Sequence, residues 1–213
     1  MNSNWIEDFF CCINEIDYVV LRNYEHFNQE DFLADHPDID ILCRDSSKIV
    51  DALSLTPRSK KEDKIHYVAN IKGLIIPVDL RCVGDGYLDD EWQIDILNQR
   101  LPYGKFYIMD KTNYFYSLIY HAYLQKDSVS PDYIKKLDTL AQEIGVHYTE
   151  SNAIQLLNAF MQEKGYKYTI PSYIGTIANF KEVDHSMIEH NIKKEIIRKL
   201  YKKKVKLIKR IRK

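Results

Sequence analysis

Apolar residues in "NWIEDFFCCINEI" (4–16) fall three and four apart. Trp5, Phe9, Cys12 and Ile13 form one stripe and predict an amphipathic helix. The period then shortens. "DYVVLRN" (17–23) reads as a strand that runs into a polar loop, and "DIDILC" (38–43) as a second strand. A strand alternates its faces, so Asp38 and Asp40 share one side of it while Ile39 and Ile41 share the other. Capping-type serines open a helix over 46–55, and "KIHYVANIKGLIIPVDLRCV" (64–83) reads as two strands turned at Lys72-Gly73. The second of these carries Asp79 between Val78 and Leu80. "DDEWQIDILNQR" is helical in pattern, and "KFYIMD" (105–110) is a short strand. Three helices follow over 111–126, 130–145 and 149–165, with Pro131 suited to a first turn and Gly145 and Gly165 to C-terminal stops. The predicted fold class is α+β, a mixed sheet with flanking helices followed by a helical subdomain. The expected divisions are 1–110, 111–185 and 186–213.

The alternation raises a chemical question, because two carboxylates side by side on one face repel each other. Each aspartate sits among large apolar residues, in "DIDIL" and "IPVDL", so the strands are core elements and not solvated edges. Carboxylates clustered at the rim of a core are costly unless a cation neutralises them. Asp38, Asp40 and Asp79 form such a cluster if strands 38–43 and 75–81 are neighbours. Hard oxygen donors in that arrangement suit two Mg²⁺ ions, with Mn²⁺ as a substitute. The alternative is a strand edge bearing incidental acids.

With "LRN" (21–23), "DIDIL" (38–42) and "PVDLR" (77–81), roughly residues 1–85 resemble the nucleotidyltransferase superfamily, whose best-known fold member is DNA polymerase beta. In that family a first strand enters a turn, usually Gly-Ser, followed by a strand with Asp-x-Asp and a third acid on a later strand. The resemblance implies a nucleotidyltransferase-like mixed sheet and a metal-dependent transfer of a nucleotidyl or related phosphoryl group. It implies that Asp38, Asp40 and Asp79 are both catalytic and metal-ligating. Arg22-Asn23 stands where Gly-Ser is expected, so these two would hold the nucleotide phosphates, Arg22 through its guanidinium. Arg81 lies two residues after Asp79 on the same face and would meet a phosphate or pair with the aspartates. His121 and Lys126 are further candidate phosphate contacts. They lie on a helix whose tyrosines, Tyr116, Tyr120 and Tyr123, are spaced as a core stripe.

A second resemblance rests on "LRN…DIDIL", "VDLRCVGDGYLDDEW" and "FYSLIYHAYLQK". It points to small bacterial nucleotidyltransferase-like proteins that accompany genes for capsule or lipopolysaccharide synthesis. It implies a nucleoside triphosphate or nucleotide-activated donor and a saccharide or lipid-linked glycan acceptor. Two alternatives stay open. One is a non-catalytic nucleotide- or glycan-binding module that recruits envelope-biosynthesis enzymes, and the other is a toxin–antitoxin type modifier of protein or RNA. "VGDGYLDD" reads either as a mobile loop over a site or as an ordinary turn.

Charge distribution adds a possible location. The 213-residue chain has a formal net charge of −1. Residues 193–213 hold twelve Lys or Arg and one acid, which leaves an acidic body and a basic end. On a helical wheel Ile196, Ile197, Leu200, Tyr201, Val205, Leu207, Ile208 and Ile211 fall within one half turn, and all cations but Lys193, Lys194, Lys204 and Arg212 fall on the other. A basic helix with an apolar face suits an anionic membrane surface. Docking on the acidic body ranks second. Nucleic acid ranks third, since it needs the charge but not the aligned apolar side chains. The expected location is cytoplasmic and peripheral at the inner membrane face: nothing near the start resembles a signal peptide, and no apolar run reaches the length of a membrane span. Cys11, Cys12, Cys43 and Cys82 have no metal-type spacing and are expected to be buried free thiols.

Overall fold

The computed structural model describes residues 5–27, 32, 38–58, 65–173, 175–190 and 196. The basic segment 193–213 lies outside the described residues apart from Ile196. The chain divides into two compact units, one comprising residues up to Gly84 with Asp90–Phe115, the other Asp85–Asp89 with the residues from Tyr116 onward.

The first unit is built on a seven-stranded mixed sheet in the order β3-β4-β5-β2-β1-β7-β6. The strands are β1 (Tyr18–Val20), β2 (Ile39–Cys43), β3 (Thr56–Pro57), β4 (His66–Ile71), β5 (Leu74–Cys82), β6 (Leu101–Tyr103) and β7 (Phe106–Ile108). The expected hairpin forms as β4 and β5. Its two-residue turn puts both Lys72 (φ 52°) and Gly73 (φ 89°) in the left-handed region, as a turn matched to strand twist requires. β2 pairs antiparallel with β1 and parallel with β5, while β1 pairs parallel with β7. β7 is the short strand expected over 105–110, whereas its hairpin partner β6 has no counterpart in the sequence pattern, because Leu101, Pro102 and Tyr103 are all exposed and show no alternation.

One face of this sheet carries the hydrophobic core. Ile39 and Ile41 of β2 and Ile76, Val78 and Leu80 of β5 are buried there with Phe9, Phe10 and Ile13 from the first helical segment. Helix α1 covers Trp5–Cys11, shorter than expected, because the next residues tighten into i→i−3 turns at Ile13 and Ile16. Its buried stripe is Ile6, Phe9 and Phe10, so Cys12 lies off it. Cys11 and Cys12 are exposed, contrary to the expectation of four buried thiols; Cys43 is buried and Cys82 partly so.

Helix α2 (Ser46–Ala52) is capped by Asp45, not by a serine: the carboxylate accepts from the Ser47 amide at 3.0 Å and from its hydroxyl at 2.6 Å. Helix α3 (Asp90–Asn98) packs on β1 and β2, and its Trp92 indole donates to Asn113 Oδ1 at 2.8 Å.

The second unit is helical. Helix α4 (Lys111–Ile119) begins in the first unit and continues through a π-helical turn, Tyr120–Leu124. Helix α5 spans Pro131–Ile144, with Pro131 in its first turn and Gly145 (φ 71°) as its cap, and α6 spans Ala153–Lys164. The tyrosine stripe is core: Tyr120 is buried, and Tyr116 stacks on Phe160 with ring centroids 4.0 Å apart.

Residues 85–89 belong to this helical unit. The Thr169 hydroxyl donates to the Gly86 carbonyl at 3.0 Å, and the Ser172 amide donates to the Asp85 carbonyl at 2.7 Å. "VGDGYLDD" is thus a pinned turn. No helix among the described residues is long and apolar enough to cross a membrane.

Candidate active site

The parallel pairing of β2 with β5 sets Asp40 directly opposite Asp79. Neighbouring strands lie about 4.8 Å apart, so the two carboxylates stand side by side on the face away from the hydrophobic core. Asp38, half-buried, immediately precedes β2. On the far side of β5, the antiparallel pairing with β4 places His66 opposite Asp79, with His66 Nε2 3.6 Å from Asp79 Oδ2. One row across three strands therefore reads His66, Asp79, Asp40. Beyond β1, Arg22 Nη2 donates to Asp40 Oδ1 at 2.5 Å, and both side chains are largely buried, at 11% and 7% exposure.

Asp79 is the costly member. Its Oδ1 is buried and makes no hydrogen bond. Burial first, then the charges of Asp40 and Asp38, push its carboxyl from the ordinary 3.8 up to about 6; His66 and Arg81 pull it back. Arg81 is buried on the same face, two residues further along β5.

The turn that carries Arg22 is rigidly held. Asn23 adopts φ 61°, a left-handed conformation that Asn tolerates better than most residues. The Tyr114 hydroxyl donates to Glu25 Oε1 at 2.9 Å and accepts a hydrogen bond from the Asn23 backbone. Buried in this way, and facing the Glu25 charge, the phenol is held well above its ordinary pKa.

The donor chemistry suits a hard divalent cation: three carboxylates, one with a buried oxygen lacking any partner. Among the described residues, no group of three or more His, Cys, Asp or Glu side chains is arranged to hold a metal ion as it stands. Arg22 covers Oδ1 of Asp40, and His66 stands near Oδ2 of Asp79. An ion bound through Oδ1 of Asp40 would displace Arg22 from that oxygen.

Of the residues singled out by sequence, Asp38, Asp40, Asp79, Arg22, Asn23 and Arg81 all belong to the first unit. His121 and Lys126 belong to the second. His121 is buried, with Nδ1 3.0 Å from the Tyr87 hydroxyl and 3.2 Å from Gln125 Oε1, whereas Lys126 is exposed. His66 and Tyr114 were missed. The first was legible: a two-residue turn at 72–73 pairs 71 with 74, and counting back brings His66 against Asp79. Nothing local linked Tyr114 to a turn some ninety residues earlier.

The chain matches no protein-family model and no curated protein. Among solved structures it is similar to the antibiotic-resistance factor ANT(2'')-Ia in solution, at 11% identity and a TM-score of 0.43, covering 76% of this chain and 92% of that one.

Proposed function

We propose that the chain is a metal-dependent nucleotidyltransferase whose centre is Asp38, Asp40 and Asp79. The observation that carries this reading is the Asp40–Asp79 register, with a buried Asp79 oxygen left without a partner. A structural role would favour replacing such a pair, since two like charges about 5 Å apart at an effective dielectric near 20 cost roughly 3 kcal/mol. Asp38, Asp40 and Asp79 would hold a divalent cation, Mg²⁺ or Mn²⁺, which when bound supplies positive charge to the phosphates and the attacking oxygen.

The remaining chemistry falls to side chains. Arg22, presented by the fixed turn at Asn23, and Arg81 bind phosphate oxygens through guanidinium N–H groups. An acceptor hydroxyl oxygen bonds to the α-phosphorus of a nucleoside triphosphate. The bond from that phosphorus to the bridging oxygen breaks, and pyrophosphate leaves with the electron pair. The hydroxyl proton passes to the free oxygen of the Asp79 carboxylate, which acts as the general base. The acceptor is a saccharide or lipid-linked glycan, and residues 193–213 attach the enzyme to an anionic membrane face. The sequence resemblance and the charge pattern support these last two points.

One observation favours a non-catalytic nucleotide- or glycan-binding module instead. Arg22 already neutralises part of the cluster, which a binding domain without a metal would need. Turnover separates the readings. Mg²⁺-dependent release of pyrophosphate from a nucleoside triphosphate, lost in Asp79→Asn and Asp40→Asn variants of unchanged fold, supports the enzyme. Equal release by wild type and Asp79→Asn would remove Asp79 from the chemistry.

A further inference from the structure

We propose that Arg22 is an exchangeable counter-ion. It holds Asp40 in the empty site and is drawn off by nucleotide phosphates, so that divalent cation and phosphate chain bind as a coupled pair and neither binds well alone. This inference rests on the nucleotidyltransferase reading and adds the order in which charges change partners. Three observations carry it.

The first is the ion pair itself. Arg22 Nη2 and Asp40 Oδ1 lie 2.5 Å apart in a largely buried setting, where breaking a pair without replacement leaves an uncompensated charge. A cation approaching Asp40 alone must displace a guanidinium and then sit beside it, positive against positive. A phosphate chain removes that obstacle, because phosphate accepts two parallel N–H bonds from a guanidinium and offers it a new partner.

The second is the backbone. Tyr114 braces the turn at both Asn23 and Glu25, so the exchange is a movement of the Arg22 side chain on a held main chain. The Asn23 backbone is already engaged by the Tyr114 hydroxyl. Phosphate recognition at this turn therefore falls to the guanidinium.

The third is the row of charge next to it. The partnerless oxygen of Asp79 lies one strand away, on the residue paired with Asp40. Withdrawal of Arg22 uncovers the Asp40 oxygen beside it, and the two together become a pair of donors for one ion. Binding at either position then favours the other, and this coupling is reciprocal.

The experiment measures binding, not turnover, and uses inorganic tripolyphosphate so that no base need be known. Mn²⁺ alone and preformed Mn²⁺–tripolyphosphate are titrated calorimetrically into wild type, Arg22→Gln and Arg22→Lys, each checked for fold by circular dichroism. The expected result has opposite signs. Arg22→Gln binds free Mn²⁺ at least tenfold tighter than wild type and binds Mn²⁺–tripolyphosphate at least tenfold more weakly. Arg22→Lys, which keeps the charge without the planar fork, falls between in both titrations and serves alone if Arg22→Gln does not fold.

Free Mn²⁺ bound no tighter by Arg22→Gln overturns the counter-ion role. Tighter Mn²⁺ with unchanged Mn²⁺–tripolyphosphate overturns the exchange and leaves Arg22 a fixed partner. A wild type that ignores Mn²⁺–tripolyphosphate while Arg22→Gln binds Mn²⁺ contradicts the nucleotidyltransferase reading and the exchange but retains the counter-ion, so the failures are distinguishable.

Discussion

Each unit buries a cluster of polar side chains, and the two clusters are resolved in different ways. In the helical unit, His121 Nδ1 lies 3.0 Å from the Tyr87 hydroxyl and 3.2 Å from Gln125 Oε1, and the Gln125 amide donates to the Tyr87 carbonyl at 2.8 Å. These hydrogen bonds tie the 85–89 turn to the π-helical turn. In the sheet unit, two carboxylates face each other across β2 and β5, one oxygen has no partner, and a guanidinium covers the other acid. A hydrogen-bonded network free of carboxylates and guanidinium groups helps a fold fix its own geometry. A charged cluster left partly unsatisfied opposes stability, and such frustration concentrates where a ligand completes the arrangement. On the proposed reading, the first cluster serves structure and the second serves chemistry.

Substitutions can break this comparison, and the largest effect is expected on chemistry. Asp79→Asn should lower nucleotidyl transfer by a factor on the order of 10³ or more, the scale seen when a group that stabilises developing charge is removed. The same change should raise stability of the empty protein. Asp79 has a folded pKa of about 6 against 3.8 unfolded, so the folded state binds more protons between those values. Its contribution to stability is therefore greatest in acid and is lost as pH rises from about 4 to 6. Asp79→Asn should stabilise by up to about 3 kcal/mol at pH 7 and by almost nothing below pH 4. Urea unfolding at both pH values checks the sign. A variant less stable than wild type at pH 7 would make Asp79 a structural residue.

The helical cluster should behave in the opposite sense. Gln125→Leu removes the donor to the Tyr87 carbonyl and a neighbour of His121, and should cost about 1–3 kcal/mol at every pH while leaving Mn²⁺–nucleotide binding unchanged. Loss of that binding in a folded Gln125→Leu protein would erase the distinction between the two clusters. The smallest effect is conformational. Gly145→Ala places a Cβ in the left-handed region at φ 71° and should cost about 1 kcal/mol by thermal unfolding, without touching either cluster.

How far the sequence foretold this arrangement depends on the range of the interactions. The β4–β5 hairpin, the helix stop at Gly145 and the burial of Ile39, Ile41 and Val78 follow from period and turn chemistry, all local signals. Asp38, Asp40 and Asp79 stood out because carboxylates interrupt apolar strands. That β2 and β5 pair in parallel, with Asp40 against Asp79, is a tertiary fact that no local pattern fixes. Arg22 illustrates the limit. Its place in the turn was visible, but its grip on Asp40 needs β1 and β2 brought together in register. The end of α1 was misjudged for a related reason: the stripe through Cys12 continued on paper, while the chain turned sooner to put Ile13 into the core.

The most direct test of the central claim is a thermal-unfolding screen of the four nucleoside triphosphates, with and without Mg²⁺, on wild type and on Asp38→Asn/Asp40→Asn. A ligand bound to the folded state alone raises its midpoint by mass action. The account predicts a Mg²⁺-dependent rise with at least one nucleotide that is lost in the double variant. No rise with any nucleotide, or an equal rise in both proteins, would contradict it.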